Sequence, residues 1–540
     1  MTGQASSIST RDEFPLCVTQ ILSADASVAQ DAARAARLRH CGLTFWIDGQ
    51  LEDAAEALQE AARLSPDDSK ILAELGSLLN AVGHREEARN CLLASLRLEP
   101  NELQTWLTLA GLHIQSSNKR DAEYAFVEAL RINPDSIEAL TGLGLLHFES
   151  SRYATSARLL HSALQLGAVS MPVYACLGQA LHNLGEFSQA ATAFEKAAKA
   201  CPNERAIVQK FARARLIEAI ITDSVSSAIN IYRSINGDDA EDVALVCRDA
   251  FKALVCYGHG EAAVRLGKTL LQGNPEDPII SYHIDAITGK GHERTPEAYL
   301  TACFDHYAPD FDKHLLETLK YDVPSLCGSL LAESGYAFSS ILDLGCGTGL
   351  AAPCLAPLGT ELIGVDISAR MLEKAGERNL YDSLSQSEAI EYLTSCSREF
   401  SLVVALDVLV YFGDLAELFA SVAEHLAPGG VFAMSFEVGN HEKYRLQPSG
   451  RFTHNPNYIE DLCGPALAIA ASVATTIRLE ANAPVEGRVM LLRRRDGAAD
   501  HSHPGARIAC PARPAAAGRF ASMKRPFPYG FASPSLHNRL

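Results

Sequence analysis

In the first half of the chain the apolar positions follow a helical period that itself repeats every 34 residues, across residues 38–202. Gly42, Gly76, Gly144 and Gly178 share one register position, with Ala110 in the same slot of the third unit. Each follows an apolar or aromatic residue: Leu38, Leu72, Trp106, Leu140 and Tyr174. A small residue there lets two helices approach closely. Further along come Ala54, Ala88, Ala122 and Ala190, then Leu58, Leu92, Phe126, Leu160 and Phe194, and finally Pro66, Pro100, Pro134 and Pro202. Proline cannot continue a helix, so each unit closes there. Five helix-turn-helix units are predicted over residues 35–204. The fourth has Ser156 in the alanine slot and Ala168 for proline, which predicts local distortion. Residues 205–290 stay helical in period, and 244–275 rejoin the register through Gly258, Ala263 and Pro275, giving about two degenerate repeats and a connector.

Beyond His292 to Pro296 the period changes. From Tyr336 short apolar runs alternate with helical segments, the signature of a doubly wound α/β domain over residues 291–495. Runs at 341–344, 362–365 and 400–405 read as strands. Residues 426–437 read as a helix end, a turn and a fifth strand.

The repeating units resemble the tetratricopeptide repeat, which implies an all-α solenoid with a concave groove for a protein or peptide partner. The alternative is a spacer or dimer scaffold.

In the α/β half, the first strand runs into the string D-L-G-C-G-T-G, with Asp343, Gly345, Cys346, Gly347 and Gly349. A glycine-rich turn after a first strand suits an adenosine ligand. Leu350 stands where a dinucleotide fingerprint requires glycine, and a carboxylate two residues before the first glycine suits a cationic ligand better than a pyrophosphate. S-adenosylmethionine, with its sulfonium and amino groups, is such a ligand. Asp366, which follows Asp343 by 23 residues at the end of the second strand, can accept both ribose hydroxyls. Asp407 lies beyond the fourth strand.

With G-V-D-I-S, D-V-L-V-Y and L-A-P-G-G added, this half resembles the class I S-adenosylmethionine-dependent methyltransferases, in a subgroup that carries tetratricopeptide repeats upstream. The resemblance implies a Rossmann-like seven-stranded sheet, S-adenosylmethionine as methyl donor with S-adenosylhomocysteine as product, and no metal. It implies that Asp343 holds the amino group and that Gly345 and Gly347 pass under the methionine and ribose. Asp366 would bind the ribose, Ile367 would pack on adenine, and Glu388 with Ala389 would lie near the adenine edge. Asp407 and Val408 would close the pocket at the sulfonium end. Tyr307 and Phe311, in the lead-in F-D-H-Y-A-P-D-F-D, are the expected lid.

If the acceptor must lose a proton, Tyr411, Glu437, Tyr444 and His454 are the candidate bases on the acceptor side. The stretch Y-R-L-Q-P-S-G-R-F-T-H-N-P-N-Y interrupts the domain after the fifth strand and resembles the subgroup's acceptor wall, where Arg445 and Arg451 could bind an acidic group.

Composition narrows the rest. A net charge of −18 argues against nucleic acid as a partner, even though Arg493 to Arg539 carries nine basic residues against Asp496 and Asp500. Fourteen cysteines without tight pairing suggest reduced thiols and a cytoplasmic setting. No stretch approaches a membrane span. Residues 1–34 read as a partly helical leader, and 496–540, rich in Pro, Ala, Gly and Arg, as a disordered basic tail. The expected activity is methyl transfer to a small-molecule or protein acceptor. Two other readings are a non-catalytic repeat scaffold whose second domain senses cofactor and, further off, a nicotinamide-dependent oxidoreductase.

Overall fold

The computed structural model describes residues 28–237, 242–480 and 483–495; the expected leader up to residue 27 and the tail from 496 lie outside them. The chain forms two compact units, residues 1–266 and 267–540.

The first unit is a run of antiparallel helix pairs: Val28–Ile47 with Leu51–Leu64, Ser69–Ala81 with Arg85–Leu98, Leu103–Gln115 with Lys119–Ile132, Ile137–Glu149 with Tyr153–Gln165, and Met171–His182 with Phe187–Ala200. Polar caps start several of them, as where Asp68 accepts the Lys70 and Ile71 N–H groups. Ala54, Ala88, Ala122 and Ala190 are fully buried. The small-residue slot has a steric cause: a Cβ added at Gly76 would lie 2.8 Å from Leu92 Cγ and 3.1 Å from the Ala88 carbonyl oxygen.

In the fourth unit the distortion is confined to one helix end. Buried Ser156 spends its hydroxyl on the Gly144 carbonyl at 2.8 Å, so the two helices still meet. Helix Tyr153–Gln165 has 13 residues where the other second helices have 14. Gly167, at φ 103°, ends it in place of proline. Helices Arg205–Thr222, Val225–Asn236 and Val243–Cys256 continue the series, and Gly260–Gly273, with buried Ala263, crosses the division between the units.

That division falls at 266/267 and not at the expected 290/291. Helix Pro278–Thr288 belongs with the second unit, because Tyr282 Oη lies 3.0 Å from Thr295 Oγ1 and donates to the Gly450 carbonyl at 3.1 Å.

The second unit is built on strands β1 (Ile341–Leu344), β2 (Leu362–Asp366), β3 (Ser383–Gln386), β4 (Phe400–Ala405), β5 (Leu426–Glu437), β8 (Leu467–Glu480) and β9 (Ala483–Arg494). They form one sheet in the order β3-β2-β1-β4-β5-β9-β8. The first five run parallel, and β9 and β8 return antiparallel. Every residue of β1 and β2 is buried, as a parallel strand covered on both faces requires. Leu342, Val403 and Phe432 pack on one face, Ile341, Leu402 and Val431 on the other. Residues 426–437 differ from expectation in that the preceding helix ends at His425 and Leu426 already pairs with Phe400. A register shift between Phe400 and Leu402 absorbs the Pro-Gly-Gly turn. A small hairpin, β6 (Tyr444–Leu446) with β7 (Phe452–His454), stands apart from the sheet. Among the described residues, no helix is long and apolar enough to cross a membrane.

Filling the small-residue slot of the solenoid tests its packing. Gly76→Val should lower the unfolding free energy by about 1–3 kcal/mol, since the Leu92 side chain and a backbone oxygen must both give way. Denaturant unfolding of the variant measures this; an unchanged midpoint would contradict the close approach.

Candidate functional site

The reversal of strand order between β1 and β4 leaves a crevice at the carboxyl ends of the parallel strands, where ligands of open α/β sheets bind. A cavity of about 230 Å³ occupies it. Its floor is the turn after β1. Gly347 has φ 55°, and the space where its Cβ would stand is open, with Phe311 the nearest atom at 3.9 Å. A side chain there would meet left-handed strain and fill the cradle.

Two carboxylates face the same cavity. Asp366 is braced by backbone: its Oδ2 accepts the Gly347 N–H at 2.9 Å and its Oδ1 the Ser368 N–H at 2.8 Å. Burial raises its pKa and these N–H groups oppose the shift. Asp343, 2% exposed, accepts the Tyr381 hydroxyl at 2.7 Å and no other donor among the described residues. Burial pushes its pKa up to about 7, against the Tyr381 hydrogen bond and with help from Asp366. Tyr381 passes over Gly364, in mid-β2: a Cβ there would lie 2.9 Å from the tyrosine ring.

A short helical segment, Glu297–Tyr307 followed by the turns through Thr318, covers the cavity. Two acids pin it to the floor. Asp305 accepts the Ser368 hydroxyl at 2.6 Å, and Asp312 accepts from both the Thr348 hydroxyl and Arg378, which also donates to the Thr348 carbonyl at 2.6 Å. The segment sets Phe311 edge-on to both Phe304 and Tyr307, and Phe304 edge-on to Tyr411.

The far end is ionic. Asp407, at the end of β4, has φ 60° and anchors its N–H on Ser435 Oγ at 2.8 Å. Arg451, delivered by the β6–β7 hairpin, donates from Nη1 to both Asp407 oxygens at 3.0 Å and lies over the Tyr411 ring. Arg478 donates to Glu437 at 2.6 Å and to Glu480 at 2.8 Å.

Of the residues singled out in the sequence, Asp343, Gly345, Cys346, Gly347, Asp366, Ile367, Glu388, Ala389, Asp407 and Val408 line this one cavity, together with Tyr307, Phe311, Tyr411 and Arg451. Glu388 also caps helix Ala389–Ser395. The others do not reach the cavity. Gly349 closes the turn, where a Cβ would press on Tyr381 and Arg378 at 3.0 and 3.1 Å. Glu437 is buried behind the wall in its ion pair with Arg478. His454, fully buried, holds the 412–413 turn through Nε2, 2.9 Å from the Phe412 carbonyl, and burial lowers its pKa to about 4. Tyr444 packs on Phe452, His454 and Tyr458, and Arg445 is exposed. Glu437, His454 and Tyr444, expected on the acceptor side, thus stand outside the cavity lining. Sequence reasoning missed Tyr381, Arg378, Arg478 and the latching roles of Asp305 and Asp312. The glycine inside the apolar run L-I-G-V-D was the available signal for a side chain crossing β2.

The unfolded chain releases the Asp343 proton near pH 4, and the folded chain keeps it to about pH 7. Stability from this group is therefore lost as pH rises through that window. Asp343→Asn, which can still accept from Tyr381, should make the ligand-free protein more stable at pH 7.5 by a few kcal/mol and flatten its stability between pH 5 and 7.5. Thermal unfolding across that range checks it; a variant no more stable than the parent at pH 7.5 would contradict the desolvated carboxylate.

Residues 342–432 match a family model described as a methyltransferase domain. Residues 107–170 and 172–204 match tetratricopeptide repeat models. The chain is 30% identical over 134 residues to a ubiquinone biosynthesis O-methyltransferase of Psychrobacter cryohalolentis, covering 24% of this chain and 52% of that protein. It is 37% identical over 122 residues to a trans-aconitate 2-methyltransferase of Deinococcus radiodurans, covering 22% and 45%. It thus spans about half the length of these curated relatives. Among solved structures, the N-methyltransferase NodS of Bradyrhizobium japonicum, in complex with S-adenosylhomocysteine, aligns over 36% of this chain and 98% of its own at 18% identity and a TM-score of 0.31. A tetratricopeptide repeat protein of Parabacteroides merdae aligns over 47% and 98% at 16% identity and a TM-score of 0.31. The cavity thus lies in a methyltransferase domain, on a chain that also carries tetratricopeptide repeats.

Proposed function

We propose that the second unit transfers a methyl group from S-adenosylmethionine to an acceptor, and that the helical repeats serve as a module for a protein or peptide partner. The observation that carries the first part is the pair of desolvated carboxylates, Asp343 and Asp366, on one largely apolar cavity at the carboxyl ends of β1 and β2.

The lining residues fit the donor's chemistry. Asp343 lacks a cationic partner among the described residues and would receive the donor's amino group. Gly347 leaves the backbone bare beneath it, while Gly345 makes room for Val408, whose Cγ2 would lie 2.5 Å from an added Cβ. Asp366, its carboxylate oriented by the Gly347 and Ser368 N–H groups, would accept from the ribose hydroxyls. Ile367, Met371 and Ala389 supply apolar surface for the adenine, with Glu388 at its edge. What the bound donor supplies is an electrophilic methyl carbon on a sulfonium sulfur. The chain's own part is to hold the acceptor in line with it and to keep water out, which the aromatic cover of Phe304, Tyr307 and Phe311 does.

Titration calorimetry of the full chain with S-adenosylmethionine, S-adenosylhomocysteine and NAD tests this reading. The first two should bind and NAD should not. Asp366→Ala should weaken binding by roughly tenfold to a hundredfold, the scale of a lost charged hydrogen bond. Binding of NAD in preference, or of none of the three, would contradict it.

A further inference from the structure

Resting on that reading, we infer the acceptor's class: a carboxylic acid, its carboxylate held by the open edge of Arg451 and methylated on oxygen to give an ester.

Arg451 leaves part of its guanidinium unused. A guanidinium has five N–H donors, and the edge formed by Nε and Nη2 matches the two oxygens of a carboxylate. Arg451 meets Asp407 through Nη1 alone. Its remaining ion-pair contact, to Glu437 at 3.6 Å, again involves Nη1. Nε and Nη2 have no hydrogen-bond partner among the described residues, and neither is sealed from open space. The side chain is 21% exposed and lines the cavity. Arg478, the other cation on this wall, has both Nη groups engaged by Glu437 and Glu480. Two arginines here face three carboxylates, Asp407, Glu437 and Glu480, so the open edge acts as a directed pair of donors and not as surplus charge.

The second line is the lack of a suitable base. Among the described residues, no histidine or lysine lines the cavity. Its tyrosines are all held protonated by burial: Tyr307 is pushed up to about 12, and Tyr299, Tyr321 and Tyr411 are raised further. Asp407 is ion-paired with Arg451. An alcohol, a phenol or an ammonium group would have to give up a proton here, and a carboxylate arrives already ionised. Its oxygen lone pair forms the new C–O bond while the methyl carbon's bond to sulfur breaks, with that electron pair left on sulfur. Carboxylate and sulfonium charges cancel, a neutral ester and a thioether result, and no proton moves. The cavity's apolar lining, Phe304, Leu315 and Phe412 among it, fits an acid with a hydrophobic body.

The test uses the full chain saturated with S-adenosylhomocysteine, titrated with benzoate, cinnamate and octanoate and with the matching amides. At least one carboxylate should bind ten times or more tightly than its amide. Arg451→Lys, which keeps a charge opposite Asp407 but lacks the fork, should lose most of that preference while still binding S-adenosylhomocysteine. In a second arm, methyl-labelled S-adenosylmethionine is supplied with the small-molecule filtrate and, separately, the protein fraction of a cell extract. Transferred label should sit in the filtrate and be released by alkali as volatile methanol. Amides binding as tightly as acids, no acid binding to the saturated protein, alkali-stable label, or label confined to the protein fraction would each overturn the inference. Failure to bind S-adenosylhomocysteine at all would instead strike the methyl-donor reading beneath it.

Discussion

The cavity is organised by the unequal treatment of two carboxylates removed from water. Asp366 is satisfied by backbone N–H groups from the turn after β1 and from its own following residues, and this bond ties the glycine turn to β2. Asp343, one strand over, has a single hydroxyl, that of Tyr381, as its hydrogen-bond partner among the described residues. A buried carboxylate left so poorly compensated costs stability unless it is protonated or meets a cation. The fold keeps such a site only at some expense, which is the pattern of a residue held ready for a ligand.

The same cavity shows how distant segments are recruited by a few polar contacts. The covering helix is fixed by Asp305 and Asp312, and both reach residues of the floor rather than the ligand space. The β6–β7 hairpin contributes one side chain, Arg451, whose grip on Asp407 stabilises an aspartate in a left-handed conformation that a non-glycine residue rarely adopts. Floor, cover and far wall are thereby separate in sequence and joined by charge-assisted hydrogen bonds, which hold geometry more firmly than neutral ones.

Much of this was legible along the chain because it depends on local spacing. The 34-residue register, the D-L-G-C-G-T-G turn and the acid ending β2 are each set by steric demands within a few residues, so residue type at a fixed offset carries the information. The illegible part depends on which way a side chain faces. In the stretch around β7, Arg451 and His454 looked equally suited to chemistry, yet the burial that leaves Arg451 partly open to the cavity seals His454 against the Phe412 carbonyl. Tyr381 could be placed over Asp343 only once β2 and β3 were paired, since 38 residues separate the two. Glu437 sits at the end of β5 and Arg478 on β8, two strands over with β9 between, and that approach, invisible in sequence, turns a candidate base into half of an ion pair.

The central claim is that Asp343 waits, largely protonated, for the cationic end of a sulfonium ligand. Its most direct test is the proton count on binding, obtained by titrating S-adenosylmethionine at pH 6.5 in buffers of different ionisation enthalpy, where the ligand's own amino group is already charged. The account predicts release of most of one proton by the parent protein and none by Asp343→Asn. Binding without proton release in the parent would show that this carboxylate neither held a proton nor gave one up, and the account would be wrong.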